Sequence, residues 1–236
     1  MCDTSLAHTG LVMLADLPGV PESGLSDSMI GQLPAGTPGP PWDCRIEATV
    51  WWHRATLSGQ ALLPPGLPAG PKVTVGAFIT YLDTPVGPYS EVLASPRLLA
   101  GAVRRGVLAR VHVPFIAVDS LTSIQGGRSH WSLPKTLATF SGGALDRQVR
   151  GNGWRVRATA RPAGPWLPSV IRLGSTQVDG AGAVSSSVTR SMSRSRLARV
   201  VVETESTGDL ARWLLPGTHR GLVLRGRMTV GSASPG

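Results

Sequence analysis

The segment DCRIEATVWWHR, residues 43–54, alternates cleanly: Cys44, Ile46, Ala48, Val50 and Trp52 fall on one side, and Arg45, Glu47, Thr49, Trp51 and His53 on the other. Successive side chains of a strand point to opposite faces, so this period of two predicts a strand of an antiparallel sheet. Working outward, similar runs occur at 73–82 (VTVGAFITYL), 91–94 (EVLA), 107–118 (VLARVHVPFIAV), 154–160 (WRVRATA), 184–191, 197–206 (closing with VVVETES) and 221–231 (GLVLRGRMTVG). Each is bounded by Gly, Pro or Asp turn signals, and short strands at such spacing predict an all-β barrel or sandwich.

Two helices are expected beside them. SPRLLAGAVRRG (95–106) offers Ser95 as N-cap, Pro96 at the first helical position and Gly106 just past the end. TGDLARWLLPG (207–217) is shorter and is closed by Pro216. Residues 1–41, rich in Gly, Pro and Ser and ending in PAGTPGPPW, read as an irregular lead-in. The domain proper is expected over 42–230, with a frayed tail at 231–236.

Composition narrows the classes. With 236 residues, 42% hydrophobic and 16% charged, the chain is long enough for one domain with a real core. No apolar run reaches the roughly 18 residues of a membrane span, and the first twenty residues contain no Lys or Arg for a secretory leader. The expectation is a cytoplasmic protein with no membrane partner. Cys2 and Cys44 form neither a zinc pattern nor a disulfide framework and are expected as free thiols. The net charge of +9, with arginines gathered in TRSMSRSRLAR (189–199), raises the question of a polyanion. No nucleic-acid reading motif accompanies them, so they read as a solvated arginine-rich strand pair with no nucleic-acid partner.

Most searches for chemistry return nothing. The five histidines are scattered, no HExxH or EF-hand spacing exists, and no metal is expected. No Walker loop, dinucleotide fingerprint or GxSxG elbow appears, so no cofactor is expected, and the GGR at 126–128 reads as a turn. His53 and His112 read as packed strand residues rather than ligands.

One position stands apart. The chain has two lysines, Lys72 and Lys135, and uses arginine elsewhere. Lys135 lies in GGRSHWSLPKTLATF (126–140), among Trp131, Leu133, Leu137 and Phe140. Apolar surroundings disfavour the charged form of an amine, and a neutral amine attacks ketones, whereas a guanidinium stays protonated. At a pKa of about 10.4 a lysine is neutral only about 0.04% of the time at pH 7, and lowering it to about 6.5 takes roughly 5 kcal/mol. The local pattern alone favours an ordinary lysine at a strand end whose stem lies on apolar surface.

A wider resemblance separates the two. YLDTPVGPYSEVLASP (81–96), VHVPFIAVDS (111–120) and GGRSHWSLPKTLATF together resemble the acetoacetate decarboxylase family, in which a Tyr-x-Glu segment precedes Gly-Arg-x-x-x-x-x-Pro-Lys. The resemblance runs from about Trp42 to Val230. It implies a mainly β fold, a closed, cone-shaped antiparallel β-barrel with a few short helices, a homo-oligomer, and Schiff-base chemistry. Carried over by position, it makes Lys135 the Schiff-base lysine and Glu91 the pocket carboxylate. Arg128 matches a family arginine, more structural than catalytic, and Arg45 is the nearest candidate for the substrate-binding arginine. Tyr89, His130 and Trp131 complete the expected substrate contacts. Two family positions differ: Thr136 stands where a second lysine follows the first, and Gly76 where a second glutamate precedes Glu91.

The resemblance therefore implies a lyase that condenses Lys135 with a small-molecule keto substrate and uses the iminium as an electron sink, for decarboxylation or an aldol, dehydration or cyclisation step in specialised biosynthesis. The competing reading is a barrel that has lost the covalent step and serves as a noncovalent ligand-binding protein or cyclase.

Overall fold

The computed structural model describes residues 16–99 and 109–235. Thirteen strands form one sheet. They are β1 (Trp42–Arg54), β2 (Ala69–Asp83), β3 (Tyr89–Leu98), β4 (Ala109–Val111), β5 (Phe115–Val118), β6 (Lys135–Leu137), β7 (Thr139–Gly143), β8 (Asp146–Gly151), β9 (Trp154–Pro162), β10 (Leu167–Val178), β11 (Val184–Ser206), β12 (Gly217–Val230) and β13 (Ser234–Pro235). The helices are α1 (Asp27–Ile30), α2 (Leu57–Gln60), α3 (Leu121–Trp131) and α4 (Leu210–Trp213).

The strand path runs β10-β4-β3-β2-β1-β12-β11, and a further β10–β11 pairing brings it back to its start, so the sheet closes into a ring. Its neighbours are antiparallel except at β10–β4. The second half of β11 leaves the ring and carries β9, β8 and β7. A short branch, β3-β5-β6, holds the segment with Lys135, and β5 and β6 run parallel.

β1 forms as its alternation predicts, and it is buried on both faces over much of its length. Trp42, Cys44, Ile46 and Ala48 join one cluster with Tyr81, Tyr89, Val118, Ile124 and Trp131. Trp51, on the other face, joins Phe78, Val92, Phe115, Trp154 and Val200. Each face of β1, β2 and β3 therefore has its own core, and α3 covers the first.

Several expectations are corrected. Ser95–Leu98, expected to start a helix, are the end of β3, where Thr74 and Val75 of β2 pair with Pro96 and Ser95. The tertiary ladder overrides the local cap signal, and residues 100–106 of that expected helix lie outside the described residues. The two strands expected at 184–191 and 197–206 are one continuous strand, β11. The serines at 185–187, 191, 193 and 195 hide it from a hydropathy pattern, although Ser187, Ser191 and Ser195 are buried. The strand expected at 107–118 is split into β4 and β5 around Pro114. The expected helix at 207–217 is present as the single turn α4.

The lead-in is docked against the sheet. The backbone N–H of Val20 donates to the carbonyl of Pro114 at 3.0 Å, and Glu22 accepts from the backbone N–H of Leu210 at 2.9 Å. At the other end, Ser234 and Pro235 pair with Ser186 and Ser185 of β11.

Candidate active site

Glu91 stands on β3 opposite Ile79 of β2 and Val118 of β5, and Tyr89, two residues earlier, stands on the same face opposite Tyr81. The two tyrosine rings stack at 4.2 Å between centroids. Lys135 opens β6 and pairs with Ile116 of β5, so its long side chain reaches over β5 toward β3. Its ammonium donates to Glu91 Oε2 at 2.8 Å and to Ser123 Oγ of α3 at 2.9 Å, and it lies 3.5 Å from the Tyr89 hydroxyl. Tyr81 donates to the second Glu91 oxygen at 3.1 Å. Lys135 and Glu91 are 3% and 2% exposed, so the whole arrangement is withdrawn from water.

The GGR segment is no turn. It lies in α3, capped by Ser120, whose side chain accepts from the backbone N–H of Ser123, and ended by Ser132 in the left-handed conformation. Two glycines and a polar composition conceal this helix from periodicity. Gly127 has a specific use, because a Cβ there would lie 2.5 Å from Lys135 Cδ and 2.7 Å from Cε. Any side chain at 127 would fill the channel that the lysine stem occupies.

Arg128 is buried and turned to the backbone. Its Nε donates to the carbonyl oxygen of Lys135 at 2.7 Å and its Nη2 to that of Ser23 at 2.8 Å. It holds the Lys135 peptide and ties the lead-in behind it. Thr136, at the second-lysine position, donates to the Gly24 carbonyl at 3.0 Å and so also faces the lead-in.

Electrostatics modify the expectation for Lys135. Burial is the largest single influence and works to lower its pKa, but the Glu91 carboxylate at 2.8 Å and the Tyr89 hydroxyl together outweigh burial and leave the pKa above the usual lysine value. In the resting protein the group is an ammonium paired with a carboxylate, not the free neutral amine expected from desolvation. Burial pushes Tyr89 up to about 12 and Tyr81 well above the usual phenol range, so both phenols are proton donors. Cys44, in the same cluster, is raised to about 12 by burial and by Glu91, and remains a thiol.

Of the expected substrate contacts, Tyr89 is at the lysine and Trp131 lies in the surrounding apolar cluster, donating its indole N–H to the Gly231 carbonyl at 2.7 Å. Two are corrected. Arg45 is exposed and on the opposite face of β1 from Cys44 and Ile46, a consequence of the same alternation that identified the strand. His130 is hydrogen-bonded to Thr37 of the lead-in at 3.0 Å and packs edge-on to Trp42. Gly76 also faces away from Glu91, opposite Trp51 in the ladder, and a Cβ there would lie 2.3 Å from the Trp51 ring. No carboxylate fits at that position. Ser123 and Tyr81 were missed by sequence reading; a Ser one helical turn before Gly127, and a Tyr placed to pair across the hairpin with Tyr89, were the available signals.

No family model and no curated protein matches this sequence. Solved structures do. An acetoacetate decarboxylase from Legionella pneumophila superposes with a TM-score of 0.61 at 14% identity, covering 85% of this chain and 88% of that one. An acetoacetate decarboxylase-like enzyme from Sphingomonas wittichii RW1 gives 0.60 at 16%, covering 89% and 97%. The enduracididine biosynthesis enzyme MppR, complexed with pyruvate, gives 0.59 at 16%, covering 84% and 91%. The chain thus has the mainly β fold of acetoacetate decarboxylase and its relatives, as the sequence resemblance implies.

Proposed function

We propose that the protein is a Schiff-base-forming lyase acting on a keto substrate, with Lys135 as nucleophile and Glu91 as proton carrier. The observation that carries this reading is the buried Lys135–Glu91 contact at 2.8 Å, with Ser123 and Tyr89 around the same nitrogen. The resting ion pair stores one proton. Transfer of that proton from Lys135 to Glu91 leaves a neutral amine, whose lone pair attacks the substrate carbonyl carbon to give a carbinolamine. Glu91 returns the proton to the departing hydroxyl, water leaves, and the iminium forms. A bond α to the former carbonyl then breaks with its electrons held as an enamine. Protonation of the enamine carbon and hydrolysis release product and regenerate Lys135. Tyr81, bonded to the other Glu91 oxygen, holds the carboxylate in line.

A neighbour complexed with pyruvate and one with the condensation product of pyruvate and imidazole 4-carboxaldehyde support a keto substrate and a carbon–carbon bond step for this fold. In the same reading, residues 42–230 are a closed, cone-shaped barrel that assembles as a homo-oligomer in the cytoplasm, and Tyr89 and Trp131 contact substrate.

The competing reading is a noncovalent binding protein or cyclase, and one observation favours it: Glu91 raises the Lys135 pKa and so holds the ammonium. Borohydride reduction decides between them. Pyruvate, acetoacetate and 2,4-pentanedione are each incubated with the protein and borohydride, and the product is mapped by peptide mass. A reduced adduct on Lys135 is expected with at least one. No adduct with any of the three overturns covalent catalysis.

A further inference from the structure

On the face of the sheet opposite Lys135, two adjacent rungs cross four strands. In one, Arg194 of β11, Arg225 of β12, Glu47 of β1 and Thr80 of β2 stand side by side; in the next, Arg196, Val223, Thr49 and Phe78 do so. Residues directly opposite in a ladder have their Cβ atoms about 5 Å apart, so each rung is a continuous row of side chains. Trp166, just before β10, and the β7–β8 turn with Arg147 lie over these rows. Together they enclose a cleft of about 200 Å³.

Its charge is unbalanced. Arg196 and Arg225 lie over the Trp166 ring, 5.0 and 4.7 Å from its centroid, and Arg147 reaches Thr80. The ion pairs among the described residues are Lys135–Glu91, Arg155–Glu205, Arg157–Asp146 and Arg212–Asp209, so none engages Arg147, Arg196 or Arg225. Glu47 lines the same cleft and is the one carboxylate there. Arg196 Nε is buried with no hydrogen-bond partner. A buried donor left unpaired is costly, and two guanidiniums over one indole with a third lining the same cleft repel one another, so this arrangement is suited to receive an oxyanion. The planar guanidinium fork matches a carboxylate, and the buried Phe78 and Val223 give an apolar floor for its carbon body.

We propose that this cleft binds a small free carboxylic acid with a flat apolar body, its carboxylate held by Arg147, Arg196 and Arg225. The site is separate from Lys135 and independent of any reaction there. Calorimetric titration with benzoate at constant ionic strength tests it. Saturable binding is expected in the native protein and in Lys135→Ala, weakened at least ten-fold in Arg196→Gln/Arg225→Gln, with circular dichroism confirming that the variant is folded. If that variant does not fold, Arg147→Gln is expected to weaken binding in its place. Absence of binding, equal affinity for inorganic phosphate, or binding that survives the arginine changes overturns the assignment. Loss of assembly in the arginine variant without benzoate binding also overturns it, because the carboxylate is then an acidic side chain of a second copy.

Discussion

Positive charge lies against both faces of the sheet around β1, β2 and β3, brought there by neighbouring strands, and the two faces treat it in opposite ways. On one, a single ammonium is sealed from water, matched to one carboxylate at 2.8 Å and fed by a glycine channel. On the other, Arg196 and Arg225 share one indole, and Arg147 and Glu47 line the same cleft. The difference follows from what each cation can do. A guanidinium holds its proton under all ordinary conditions, which suits it to binding an anion, whereas an ammonium can surrender its proton once water is excluded and an acceptor is in contact. On the proposed readings, placement of lysine on one face and arginine on the other separates a position for proton exchange from one for charge.

The largest effect that would sharpen this contrast is loss of the amine. Lys135→Arg and Lys135→Ala are both expected to abolish turnover and the borohydride adduct, measured with the keto substrate that gives the adduct in the native protein. Near-native activity in Lys135→Arg would erase the distinction between the faces.

Glu91→Gln comes next. Turnover is expected to fall roughly 10²- to 10⁴-fold, the scale of a general acid/base group. Removing one partner of a buried pair also costs roughly 3–5 kcal/mol, so the variant is expected to melt well below the native protein. The pair has a pH signature too. The folded Lys135 pKa is raised above the usual lysine value, so the pair's stabilisation is complete below that value and declines as pH rises through the higher folded one. Glu91→Gln should lose this alkaline decline in a denaturant titration series, because burial, the largest influence on the amine, is then opposed by Tyr89 without the Glu91 charge.

Gly127→Ala is a smaller intervention on the same face. Its Cβ would meet the lysine stem at 2.5 Å, and overpacking of this kind costs about 1–3 kcal/mol. The stem has to shift to relieve it, so turnover is expected to fall more than stability does, by about ten-fold or more. Unchanged turnover with an unchanged melting temperature would show that the channel is looser than its distances indicate.

Which parts of this were readable in advance depends on whether a residue's partner is local. β1 declares itself because its period is its own. Lys135 and Glu91 are legible through their order along the chain and the residues beside them. α3 is hidden because its two glycines, which lower helix propensity, serve Trp42 and Lys135, contacts made only after folding. The same holds for β11, whose serines face the ring, and for Ser95 and Pro96, whose helix-start chemistry gives way to pairing with β2. Arg45, a candidate by resemblance, is out of phase with Cys44 and Ile46 in the same alternation and so faces away from the cluster around Glu91. The protonation state of Lys135 was the least legible feature, since the apolar sequence around it speaks for burial and only the fold brings Glu91 into contact.

The smallest effect is expected at Lys72, and it tests whether residue type or position defines the reactive face. Lys72 lies on β2 but its side chain is exposed, makes no ion pair among the described residues, and has water in place of the Tyr, Ser and Glu that surround Lys135. Replacement of an exposed side chain without an ion pair has little to remove, so Lys72→Arg and Lys72→Ala are expected to change stability by no more than about 0.5 kcal/mol. Turnover and the yield of borohydride adduct should both match the native protein. Since these are the two lysines of the chain, a native-like adduct in Lys72→Ala together with none in Lys135→Ala assigns the chemistry to the buried position without peptide mapping. An adduct that tracks Lys72 instead would mean that exposure, not the Glu91 contact, governs which amine reacts.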